Sequence, residues 1–160
     1  MQAKHSPSVL FICAANICRS PMAAALFRER LKEARLDWQE WRVASAGTWA
    51  VDGQMASMRS QMVMAQKGLD ISQHRSRMVT SEMLQEYDLI LTMEEGQKEA
   101  LQTEFPSIAG RVFLLSEMMG IREPVEDPFG GSLQDYQEAA IRIDAMLEKG
   151  MPRIIELAAD

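Results

Sequence analysis

Four short runs of mostly aliphatic and aromatic residues, Val9–Ile12, Trp41–Ala44, Tyr87–Leu91 and Arg111–Leu115, alternate with longer stretches of helical spacing. Runs this short, bounded by turn and cap signals, read as strands. The stretches Pro21–Leu36, Gln54–Lys67, Ser81–Glu86, Glu94–Phe105 and Ser132–Lys149 read as helices. Gly68 suits a left-handed cap closing the second of these, and Ser132 with Asp135 has the spacing of a capping-box variant. Gly150 and Pro152 are expected to break or kink the last helix before Ile154–Ala159. Strands alternating with helices imply right-handed crossovers and a mostly parallel sheet covered on both faces, the α/β class. At 160 residues the chain reads as one domain, with residues 1–7 as a mobile N-terminal tail.

Charge narrows the partners. With 17 basic and 23 acidic side chains the net charge is −6, which disfavours nucleic acid and anionic membrane surfaces. No apolar stretch is long enough to span a bilayer, and the N-terminus carries no export signal, so a reducing cytoplasm is the expected compartment. Among 13 methionines, Met55, Met58 and Met62 fall at i, i+3 and i+7 on one helical face. They are expected to fill the core, and a thioether site for a soft metal is the rival reading.

Both cysteines sit in one stretch, VLFICAANICRSPM, residues 9 to 22. A permanent disulfide suits a reducing compartment poorly. Structural zinc needs four ligands, and beyond Cys13 and Cys18 the chain offers only His5 and His74 among the nitrogen and sulfur ligands usual for it. A phosphate loop fits better. Ser20-Pro21 is a helix-start signal, so Cys13 to Arg19 joins a strand end to a helix N-terminus, where backbone N–H groups and the helix dipole favour an anion. Arg19 can clamp two phosphate oxygens, and Ala14 and Ala15 leave the backbone approachable. Asn16 is one of the few non-glycine residues that accepts a left-handed conformation. The positive field that holds phosphate also favours a thiolate at Cys13, a nucleophile in its reactive form. The proton donor is sought in the longest aperiodic segment, Gly120 to Gly131, which carries Glu123, Glu126 and Asp127 around Pro124 and Pro128. The first strand ends at Ile12, which puts this motif at the carboxyl edge of the sheet, where open α/β sheets bind ligands.

CAANICRSPMA resembles the active-site loop of the low-molecular-weight protein tyrosine phosphatases, C-x-G-N-x-C-R-S-P near the N-terminus. Ser45-Ala46-Gly47-Thr48, His74-Arg75-Ser76-Arg77 and Asp127-Pro128 resemble three further landmarks in the same order. The resemblance implies a flavodoxin-like, three-layer domain whose four-stranded parallel sheet has the order 2-1-3-4. It implies that Cys13 attacks phosphorus, that Arg19 and the loop from Ala14 through Asn16, Ile17 and Cys18 bind the phosphoryl oxygens, and that Asp127 is the acid and then the base. Ser20 would hydrogen-bond the thiolate, and Asn16, Ser45 and His74 would fix the loop's shape. Cys18 would form a reversible disulfide with Cys13 or serve as a small buried thiol. Trp49 and Phe129 are candidate walls for an aromatic leaving group. No cofactor or metal is expected. The expected partners are a phosphorylated protein or peptide and inorganic phosphate, with the chain a monomer or weak dimer.

Three features bear on specificity. Ala15 stands where the family usually has glycine; if that position needs a positive φ, alanine costs about 1 kcal/mol. Asp127 to Gly131 reads Asp-Pro-Phe-Gly-Gly, as in the related protein arginine phosphatases. Ile17 stands where those carry threonine, and an aliphatic residue there suits phosphotyrosine. Phosphotyrosine is therefore the expected substrate and phosphoarginine the alternative. An arsenate reductase relay would need cysteines outside the loop, which this chain lacks. A noncatalytic phosphopeptide-binding module is the rival from another class, and the presence of both Cys13 and Asp127 weighs against it.

Overall fold

The computed structural model describes residues 6–159. β1 (Ser8–Cys13) is buried along its whole length, and its alternate side chains feed two different cores, as the period of a strand requires. Val9, Phe11 and Cys13 face a layer built from α1 (Arg19–Glu33), α2 (Met58–Gln66) and α5 (Leu133–Ala159). Leu10 and Ile12 face the opposite layer, with Leu84 of α3 (Ser81–Gln85) and Leu101 of α4 (Glu95–Glu104). β2 (Arg42–Gly47), β3 (Leu89–Thr92) and β4 (Val112–Leu114) complete one parallel sheet of order β2-β1-β3-β4. This is the three-layer, 2-1-3-4 architecture expected from the sequence.

Register aligns the carboxyl ends that matter. Cys13 is opposite Gly47 on β2, and Ile12 is opposite Thr92 on β3. The loop after β1, the turn after β2 and the segment after β3 therefore meet at one edge.

Several local expectations are corrected. α5 runs unbroken for 27 residues through Gly150 and Pro152. A side chain at Gly150 would place its Cβ 2.6 Å from Met118 Cβ, so the glycine lets the turn Leu115–Met119 close onto the helix. Pro152 is exposed, and Glu148, the residue whose carbonyl it frees, is exposed as well. Beyond it Ile154 and Ala158 are fully buried, which offsets the cost of about 3 kcal/mol for an interior proline. The methionine stripe does not fill the core. α2 starts at Met58, after Ser57 caps it by accepting the Ser60 N–H, and it buries Ser60, Val63 and Met64. Met55, Met58 and Met62 lie off that face and are exposed.

Ser20 is not the helix cap. α1 begins at Arg19 with Cys18 at the N-cap, which frees the Ser20 hydroxyl for the loop. The tail cannot extend through residue 7, because Pro7 is buried and its carbonyl accepts the Arg42 N–H. Residues 1–5 lie outside the described residues. Gly68 has φ +76° and closes α2 as expected, and Ser132 and Asp135 exchange capping hydrogen bonds at the start of α5.

Candidate active site

The segment between β1 and α1 curls through Asn16, whose φ is +59°. Ala15 is not in the left-handed region, so the alanine carries no such penalty; the left-handed position belongs to the residue after it. Asn16 is fully buried and fully used. Its Nδ2 donates to Ser20 Oγ (2.7 Å) and Ser45 Oγ (3.0 Å), and its Oδ1 accepts the Arg77 N–H (3.0 Å). Its carbonyl lies 2.7 Å from His74 Nε2. The carbonyl can only accept, so that nitrogen carries the proton. Burial pulls the His74 pKa below its ordinary value against the bond to Asn16, and Arg75, Arg77 and Arg28 reinforce the shift.

The scaffold turns the loop's carbonyls outward. Cys13 O accepts from Thr48 N, Ala14 O from Trp49 N, Ile17 O from Ser57 N and Cys18 O from Ser60 Oγ. With the Asn16 carbonyl also taken, the loop's N–H groups are left as donors for the concave side. Gly47 permits this closeness: a Cβ there would lie 2.3 Å from Ala14 O and 3.1 Å from the Asn16 nitrogen.

Cys13 Sγ lies 3.0 Å from Ser20 Oγ. Because Ser20 Oγ already accepts from Asn16 Nδ2, its own hydrogen is available to the sulfur. Arg19 is 2% exposed, and its Nε is buried without a hydrogen-bond partner. A buried guanidinium donor is costly to leave unpaired, and an oxyanion is the kind of ligand that would satisfy it. Its Nη1 donates to Glu94 Oε1 (2.6 Å) and to the carbonyl of Val125 (2.7 Å). Its Nη2 lies 3.6 Å from Asp127 Oδ2.

The residues leading into Asp127 are anchored to Met93 and to Arg142 of α5. Val125 is buried, its N–H donates to Met93 O, and Arg142 Nε donates to Pro124 O while its Nη2 pairs with Glu123. Asp127 itself is half-exposed, and its Oδ1 accepts the Phe129 N–H at 3.0 Å. The arrangement sets a buried thiol beside a serine hydroxyl, and a buried guanidinium beside a half-exposed carboxyl group.

Of the other expected residues, Ser45 and His74 meet at Asn16, and Ala14, Ala15 and Ile17 are half-buried along the loop. Trp49 is 87% exposed and Phe129 68%, each next to a site residue through its backbone. Both cysteines are free thiols. Cys18 lies within hydrogen-bond reach of Ser57 Oγ (3.6 Å) and the Tyr136 hydroxyl (3.5 Å), and burial raises its pKa. Burial first, and then Cys18, pushes the Tyr136 hydroxyl up to about 12. Sequence reasoning missed Glu94. Its signal was position: an acidic residue two places beyond β3, the strand beside β1, at the ligand edge.

The family model for low molecular weight phosphotyrosine protein phosphatase matches residues 8–158. A probable low molecular weight protein-tyrosine-phosphatase, EpsP of Ralstonia solanacearum, is 37% identical over 147 residues, covering 92% of this chain and 95% of that one. The crystal structure of the low molecular weight protein tyrosine phosphatase from T. tengcongensis superimposes with a TM-score of 0.85 at 35% identity, covering 92% of this chain and 99% of that one. The YwlE arginine phosphatase from Geobacillus stearothermophilus gives 0.84 at 31% identity, covering 94% of each chain. By its sequence over nearly its whole length, and with the fold to match, the chain belongs to the low molecular weight phosphotyrosine protein phosphatase family.

Proposed function

We propose that the chain hydrolyses phosphotyrosine in proteins through a phosphocysteine intermediate. The observation that carries this reading is Arg19: a buried guanidinium with one unpartnered N–H, beside a loop in which the carbonyls of Cys13, Ala14, Asn16, Ile17 and Cys18 are already hydrogen-bonded, at the end of the strand that delivers Cys13.

The Cys13 thiolate attacks phosphorus as the bond to the tyrosine oxygen breaks, and protonated Asp127 gives its proton to the departing phenolate. The loop N–H groups and Arg19 hold the equatorial oxygens, where charge is concentrated in the transition state. Asp127, now a carboxylate, then takes a proton from water as that water's oxygen attacks phosphorus. The S–P bond breaks, inorganic phosphate leaves, and the Ser20 hydroxyl stabilises the returning thiolate. Phosphoryl oxygens entering the loop compete with Asp127 for Arg19 Nη2, which frees the acid for the leaving group. Glu94 and the Val125 carbonyl keep Nη1 occupied, so the guanidinium presents its remaining edge to the substrate. Asn16, Ser45 and His74 hold the loop's curvature. Ile17, Trp49 and Phe129 supply apolar surface to a phenyl ring. Among the described residues no helix is long and apolar enough to cross a membrane.

Phosphoarginine is the second reading, favoured by Asp127-Pro128-Phe129-Gly130-Gly131 and by the likeness to a protein-arginine-phosphatase. Paired turnover of phosphotyrosine and phosphoarginine peptides by the reduced protein decides between them. The expected result is a higher kcat/KM on phosphotyrosine, with Ile17→Thr shifting the ratio towards phosphoarginine. Preference of the unaltered chain for phosphoarginine overturns the first reading.

A further inference from the structure

A second concentration of positive charge lies outside the catalytic loop. Arg28 of α1 with Arg75 and Arg77 of the segment between α2 and α3 lines an open cavity of about 330 Å³, together with Ser45 and His74. None of residues 13–19 and none of the Asp127 segment lines it. In a chain of net charge −6, three arginines lining one cavity would ordinarily recruit carboxylates. Here they do not: among the described residues none of the three forms an ion pair.

Their hydrogen bonds go to backbone carbonyls instead. Arg28 Nη2 donates to Val43 O (2.5 Å), Arg75 Nη1 to Ser72 O (3.2 Å) and His74 O (2.8 Å), and Arg77 Nε to Ser45 O (3.2 Å). Carbonyl contacts orient a guanidinium without neutralising it, and each of the three keeps further N–H donors. The one carboxylate in the lining, Asp70, has its Oδ1 turned to the Ser72 N–H. Oriented, unneutralised guanidiniums around a cavity form the donor set that binds tetrahedral oxyanions.

We propose that this cavity is a second, noncatalytic anion site that takes a dianionic phosphoryl group, either the inorganic phosphate released by the reaction or the phosphate of a small ester. Its walls are also the buttress of the catalytic loop. His74 Nε2 and the Arg77 N–H both hold Asn16, so an anion bound here bears on the residues that shape the phosphate cradle.

The test is a titration of the full chain with sodium phosphate at constant ionic strength, followed by amide NMR and calorimetry. Two saturating events are expected, one moving the amides of residues 13–20 and the other those of residues 70–77. The paired substitution Arg28→Gln/Arg75→Gln weakens the second event by about 10-fold or more while leaving the first within about 2-fold. Asp70→Asn, which removes the one competing carboxylate and disturbs no buried group, tightens the second event by about 3-fold. Glycerol phosphate titrated into the Cys13→Ser chain distinguishes the sources: tighter binding than inorganic phosphate assigns the site to an ester, weaker or equal binding to the free product. The proposal is overturned by a single event confined to residues 13–20, by movement at residues 70–77 that sodium chloride reproduces, or by a second event indifferent to both sets of substitutions.

Discussion

Replacing Glu94 isolates the contact that orients Arg19. The pair spans 2.6 Å, with Arg19 2% and Glu94 40% exposed. A hydrogen bond between charged groups contributes about 1.5–3 kcal/mol, and the exposure of Glu94 lets solvent screen it towards the lower part of that range. About 1.5–2 kcal/mol corresponds to a fall in kcat/KM of about 10- to 30-fold for Glu94→Ala. Glu94→Gln keeps an acceptor oxygen and loses only the charge, so its loss should be smaller. The assay is steady-state hydrolysis of an aryl phosphate, with inorganic phosphate as competitive inhibitor. If Glu94 orients the guanidinium, phosphate inhibition weakens in step with kcat/KM, and the glutamine variant recovers part of both. If Glu94 merely tempers the charge of Arg19, both variants bind phosphate more tightly than the unaltered chain. Tighter inhibition, or kcat/KM within about 2-fold of the unaltered chain, refutes the positioning role.

Three further changes test the scaffold. Gly47→Ala forces a Cβ to within 2.3 Å of a backbone oxygen, so it should lower the melting temperature, cost about 1–3 kcal/mol, and reduce turnover by displacing Ala14 and Asn16. Arg35 closes α1 with φ +55°, with Arg35 N donating to Lys32 O and Leu36 N to Leu31 O, a terminus that suits glycine; Arg35→Gly should stabilise the chain by about 0.5–1 kcal/mol in denaturant unfolding, with activity unchanged. The lowered pKa of His74 means that the fold prefers the neutral ring, so its contribution is complete above the unfolded value of about 6.5 and is lost as pH falls through the folded value. The melting temperature should therefore drop on acidification through that window, more steeply than in His74→Gln, and parallel slopes would count against the assignment.

What the sequence could reveal depended on how local each cause was. The β1 run, the left-handed Asn16, the Gly68 cap and the capping exchange at Ser132 and Asp135 rest on neighbouring residues, and each is legible in the order of amino acids. The pairing of Arg19 with Glu94, 75 positions apart, and the closing of Met118 onto Gly150 depend on which elements pack together, and no nearby residue announces them. Gly150 and Pro152 therefore looked like a break. Burial of Ile154 and Ala158 on the far side is what carries the helix through. The methionines misled for a related reason: helical spacing identifies a face, but Val63 and Met64 decide which face turns inward. Cys13 and Arg19 were legible from residue type and order, and Asp127 from its resemblance to the family's late Asp-Pro dipeptide; the structure places Arg19 Nη2 3.6 Å from Asp127 Oδ2. Ala15 was a concern only while the left-handed position was unassigned.

The most direct measurement of the central claim is the covalent intermediate itself. Rapid acid quench of the reduced chain during turnover of an aryl phosphate, followed by peptide mass spectrometry, should find a phosphoryl group on Cys13. Asp127→Asn, which removes the base for the second step, should change how long that species persists, and Cys13→Ser should abolish turnover while phosphate still binds. Turnover that continues in Cys13→Ser, or a phosphoryl group found on another residue, contradicts the account.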